Sequence, residues 1–66
     1  MEVTINGATR ELVNDCSVAE LLHMLAVRAA RVAVEVNEEV VARDTYADRR
    51  LTPGDRVEIV HFVGGG

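Results

Sequence analysis

Residues 2–25 read EVTINGATRELVNDCSVAELLHML, and the fold turns on where the period of this stretch changes. Val3-Thr4-Ile5 alternates apolar and polar with a β-branched bias, and extended character resumes from Thr9 to Val13. Between them Asn6-Gly7 suits the left-handed dihedrals of a type I′ turn, so residues 2–13 are expected to form a β-hairpin. Val3 and Ile5 then share one face, and the partner strand contributes Leu12. From Ser17 onward the spacing becomes helical. Ser17 stands three residues before Glu20, the spacing of a capping box, and Cys16 and Leu21 occupy the two positions of a hydrophobic staple. Val18, Leu21, Leu22 and Leu25 follow at i, i+3, i+4 and i+7. Nothing after Ala26 continues the stripe, which predicts an end near residues 25–28 and a helix too short to be stable without a sheet beneath it.

Beyond the helix, Val32, Val34 and Val36 alternate with Ala33, Glu35 and Asn37, the pattern of a half-buried strand. Asn37-Glu38 suits a turn, and Val40-Val41 begin the returning strand. Residues 44–50 lack a period and read as a loop with a helical turn, Tyr46 packing inward. Thr52-Pro53-Gly54-Asp55 has the residues of a type II turn, Pro fixing φ near −65° and Gly supplying the positive φ. Arg56 to Val63 is the last strand, with Val57 and Ile59 on one face and Val60 and Phe62 on the other. The order is therefore ββαββ, a turn-rich stretch, then β. It predicts an α+β domain over residues 1–63, with about five strands and one main helix on one face.

At 66 residues and 7.2 kDa the chain has room for one small domain and none for a catalytic cleft walled on all sides, so it is not expected to be an enzyme by itself. The seven basic residues are all Arg; against 11 Asp plus Glu they leave a net charge of −4. Phosphate backbones repel such a surface, and Tyr46 and Phe62 alone provide no stacking platform, so no nucleic-acid partner is expected. An acidic balance instead favours basic protein surfaces. No apolar run approaches the 18 or so residues of a membrane span, and no basic segment leads into an apolar one, so the expectation is a cytoplasmic protein without a membrane partner.

The last strand runs straight into Gly64-Gly65-Gly66, where the sequence stops. Three glycines contribute no packing and are costly to order, whereas Gly7 and Gly54 sit in turns. Without side chains, a tail of this kind can enter a narrow channel and present a terminal carboxylate inside another protein. Extended at roughly 3.3 Å per residue, Val63 to Gly66 would project roughly 13 Å. A carboxylate is inert to acyl transfer until activated, and an acyl-adenylate made from ATP is the usual remedy. This chain has no Gly-rich loop between a strand and a helix, so the nucleotide must sit in a partner.

The strand order, the capped helix Ser17-Val18-Ala19-Glu20-Leu21-Leu22 and the ending Gly65-Gly66 resemble the ubiquitin-like β-grasp sulfur carriers, in particular the branch serving the thiazole of thiamin. Residues 34–41, Arg43 with Tyr46 three residues later, and Pro53-Gly54-Asp55 carry the resemblance, which covers the whole chain. The departures are small: a third glycine at Gly64, and Ala42 where many relatives have Pro. The resemblance implies a β-grasp fold with a mixed sheet and a flexible tail at 64–66. It implies that Gly66 is the modified residue, with Gly65 and Gly64 giving access. A ThiF-like adenylyltransferase would adenylate the Gly66 carboxylate using ATP, and a persulfide derived from a cysteine desulfurase would replace AMP. The resulting thiocarboxylate would pass its sulfur to thiazole synthase. A carrier for molybdopterin or cysteine synthesis shares this chemistry, and a ubiquitin-like binding module with an inert tail shares the fold.

Val60 and Phe62 are expected on the open face of the sheet as a partner-docking patch, Phe62 as anchor. The alternative is ordinary cross-strand packing. No bound cofactor or metal is expected: His23 and His61 lack a third ligand, and Cys16, just before the helix cap, reads as a small buried hydrophobe. The absence of Lys would spare an activated terminus from amine attack, but a bias toward Arg codons accounts for it equally well.

Overall fold

The structure, a computed structural model, describes residues 1–62. Its strands are β1 (Glu2–Ile5), β2 (Ala8–Glu11), β3 (Val32–Val36), β4 (Glu39–Val40) and β5 (Arg56–His61), with the helix α1 (Val18–Met24) between β2 and β3. One sheet contains all five in the order β2-β1-β5-β3-β4. Only β1 and β5 run parallel. The expected mixed sheet under one helix is therefore the observed β-grasp architecture. Residues 63–66, including the expected tail at 64–66, lie outside the described residues.

The hairpin forms as its sequence dictates. Asn6 and Gly7 both take positive φ, +49° and +85°, and Ile5 faces Ala8 across the turn. Strand β2 stops at Glu11, earlier than the expected Val13, because the chain turns through Asn14-Asp15, where Asp15 has φ +64°. Leu12 is still buried, while Val13 faces solvent.

Helix α1 is held at both ends by local bonds. The Ser17 hydroxyl accepts from the Glu20 N–H, and the Glu20 carboxylate accepts from the Ser17 N–H, each at 3.0 Å. The Ser17 N–H first, then the Ser17 hydroxyl and Arg50, hold the Glu20 carboxyl below its usual range. At the other end, the Ala26 N–H donates to the His23 carbonyl and the Val27 N–H to the Leu22 carbonyl, a Schellman closure. Its left-handed position is Ala26, φ +58°, where glycine is usual. The chain then makes a 3-10 turn at Ala29–Arg31 that its sequence did not announce.

The core lies between α1 and the sheet. Val18, Leu21 and Leu22 meet Val3, Ile5, Val34, Val36, Val57 and Ile59, and Tyr46 and Leu51 close it from the loop side. The turn at 52–55 is as expected: the Asp55 N–H bonds the Thr52 carbonyl, and Gly54 has φ +86°. Asp55 itself is buried. Its carboxylate accepts from the Thr52 N–H, the Thr52 hydroxyl and the Asn37 side-chain amide, pinning the β3–β4 turn to the start of β5.

Candidate functional site

Strand β5 is the centre of the sheet at its start and an edge at its end. Beside it, β1 pairs only through Thr4–Arg56 and Ile5–Val57. Past the end of β1, the Asn6 side chain takes over: its oxygen accepts from the Ile59 N–H at 2.7 Å and its amide donates to the Ile59 carbonyl at 3.2 Å. After Ile59, β5 is bonded among the described residues only to β3, through the Ala33–Val60 and Val32–His61 pairs, and by the Phe62 N–H to the Arg31 carbonyl. The end of β5 is thus firmly held on one side and open on the other. The glycines follow this exit directly in sequence.

The expected docking residues lie where their alternation puts them. Val60 and Phe62 are 56% and 58% exposed on the face away from α1. Sequence reasoning missed two neighbours. Ala33 shares the cross-strand rung of Val60, and Val40 shares the next rung with Glu35 and stands 74% exposed. Only strand register could have revealed this, because register decides which residues of separate strands share a face. An aromatic and two valines exposed on one face form a larger apolar surface than singly scattered residues.

Cys16 is buried and its Sγ points to the Ser17 carbonyl. Burial pushes its thiol above the ordinary value; Glu20 adds to this and Arg50 opposes it, so the reactive thiolate is disfavoured. His23 and His61 are exposed, and no group of residues that could hold a metal occurs among the described residues. A groove of about 350 Å³ beside α1, lined by Val13, Cys16, Ala19, Glu20, His23 and Met24, lies on the helix side, away from the open face. No helix among the described residues is long and apolar enough to cross a membrane. The glycines Gly64, Gly65 and Gly66, expected to carry the chemistry, lie outside the described residues.

The profile of the ThiS family matches residues 3–66. The chain is 42% identical over 66 residues to a protein of Paramagnetospirillum magneticum named thiazole synthase, covering all of this chain and 20% of that one. It is 38% identical over 50 residues to the sulfur carrier protein ThiS of Bacillus subtilis, 76% of each chain. Among solved structures, the crystal structure of the thiamine biosynthesis protein ThiS from Geobacter metallireducens is similar at a TM-score of 0.86 and 38% identity, over the whole of both chains. The chain therefore spans a fifth or less of the thiazole synthases it matches, and three quarters or more of the separate carriers.

Proposed function

The chain belongs to the ThiS family, and from that premise we propose that it is a sulfur carrier for the thiazole of thiamine, with the Gly66 carboxyl group as its reactive centre. The family match over residues 3–66 is the observation that carries this. What the body contributes is presentation. β5 leaves the sheet at an open edge, and Phe62 and Val60 lie beside the exit where a partner can grip them.

A partner adenylyltransferase of the ThiF type joins the Gly66 carboxylate to the α-phosphate of ATP and releases pyrophosphate. The terminal sulfur of a persulfide, supplied by a cysteine desulfurase, then attacks the acyl carbon and displaces AMP. A second thiol cleaves the resulting sulfur–sulfur bond and leaves a thiocarboxylate on Gly66. Sulfur is more polarizable and less tightly solvated than oxygen, so this group attacks electrophiles where the carboxylate does not. Thiazole synthase accepts the sulfur and returns the carboxylate. The carrier binds no cofactor and catalyses no step, since ATP is consumed in the partner. Names of relatives that include thiazole synthase favour this acceptor over molybdopterin or cysteine synthesis.

The test is intact-mass measurement after incubation with ATP, a sulfide source and the adenylyltransferase. The expected result is an oxygen-to-sulfur increase located at Gly66, which a residue added beyond Gly66 prevents without unfolding the chain. An unchanged mass in the unextended chain, with the partner active on its own substrate, would leave a binding module with an inert tail.

A further inference from the structure

The open face carries charge as well as apolar surface, and the charge is arranged at a cost. Glu35 on β3 stands directly opposite Glu58 on β5. Like charges so placed destabilise an antiparallel pair. Some other carboxylates have partners: Glu20 has Arg50 at 3.5 Å, Glu11 the N-terminal ammonium at 3.8 Å, and Asp55 its hydrogen bonds. Among the described residues neither Glu35 nor Glu58 has a cation within 4 Å, and Arg56, two residues before Glu58, is taken by Glu38 at 3.7 Å.

The position of the pair gives this significance. It occupies the rung next to Val60–Ala33, about 7 Å along the strand, and Val40 continues the same rung beyond Glu35. A partner that receives the glycines and covers Phe62 and Val60 therefore meets the two carboxylates next. Resting on the sulfur-carrier function, we propose that Glu35 and Glu58 form the electrostatic half of the docking surface, and that thiazole synthase meets them with arginine or lysine side chains bordering an apolar patch. A cation seated between the two carboxylates accepts the fields of both, so repulsion that weakens the free sheet becomes attraction in the complex. The pair thereby favours the bound state and selects against partners with an acidic rim.

The experiment uses the full chain and the thiazole synthase of the same organism, with affinity measured by calorimetric titration. Glu58→Gln and the double variant Glu35→Gln/Glu58→Gln remove charge while keeping shape. Their melting temperatures are expected to rise by about 1–4 °C, while affinity falls about tenfold for the single change and further for the double. Raising the salt concentration weakens the wild-type complex more steeply than that of the double variant. Affinity of the double variant equal to wild type, alongside weaker binding by Phe62→Ala, would overturn the electrostatic role and leave the carrier function standing. Failure of the wild-type chain to bind thiazole synthase at all would remove both.

Discussion

The two faces of β5 differ by one step along the chain. Val57 and Ile59 point beneath α1 and are buried, while Glu58 and Val60 point away and are exposed. Both faces carry valines, yet the same residue type does opposite work. Under the helix an apolar side chain gains from leaving water when the chain folds. On the open face it remains in water and makes no comparable gain. One covered and one bare face is what a five-stranded sheet with a single helix must have, and it leaves the bare face available for recognition without disturbing the core.

The strongest way to break this contrast is to truncate a core residue. Leu21→Ala, at a fully buried position, is expected to cost about 2–5 kcal/mol, a large share of the whole stability of so small a domain. Chemical denaturation should show it, and a cost below about 1 kcal/mol would mean that α1 is not the lid of this core. Next comes Asp55→Asn, expected to cost about 1–3 kcal/mol, because an amide nitrogen would face the donors of Thr52 or Asn37. This effect depends on pH. Burial alone would raise the Asp55 carboxyl, but the bonds from Thr52 and Asn37, with help from Arg49, outweigh it and leave it below the usual range. The stability it contributes is therefore present above the unfolded carboxylate value, near pH 4, and is lost as pH falls through the lower folded value. Denaturation of both proteins from pH 7 to pH 3 should show their difference shrinking toward the acid end.

A smaller effect of opposite sign sharpens the view of the helix side. Ala26→Gly removes the strain of a left-handed alanine, about 1–2 kcal/mol, but loosens the unfolded chain, for a net gain of about 0.5–1 kcal/mol. A loss on thermal unfolding would show that the Schellman turn tolerates alanine without strain. The smallest effect belongs to the bare face. Val60→Ala and Phe62→Ala should each change stability by less than about 0.5 kcal/mol, while Phe62→Ala weakens partner binding about tenfold. Should Phe62→Ala destabilise the free chain as much as a core truncation, Phe62 would belong to the fold and not to the interface.

The local devices of this chain were legible in its residues. The Asn6-Gly7 turn, the Ser17/Glu20 capping box and the 52–55 turn each depend on a few neighbours and formed as their sequence dictates. Element ends were less legible: β2 stopped early at Glu11 and the turn at Ala29–Arg31 gave no signal, because chain reversals there answer to packing. The candidate site divides in the same way. Alternation along one strand placed Val60 and Phe62 on the bare face, and the closing glycines stand in the sequence itself.

What the sequence determined alone was the set of strands, the helix and which residues of each share a side, since period and capping are properties of short stretches. What only the tertiary structure decided was adjacency: β5 between β1 and β3, Asn6 bonded to Ile59, Asp55 to Asn37, Glu58 opposite Glu35, and Val40 on the rung beside them. These pairings join residues up to 53 positions apart. Register between distant strands is set by the packing of the whole core, and no local pattern encodes it.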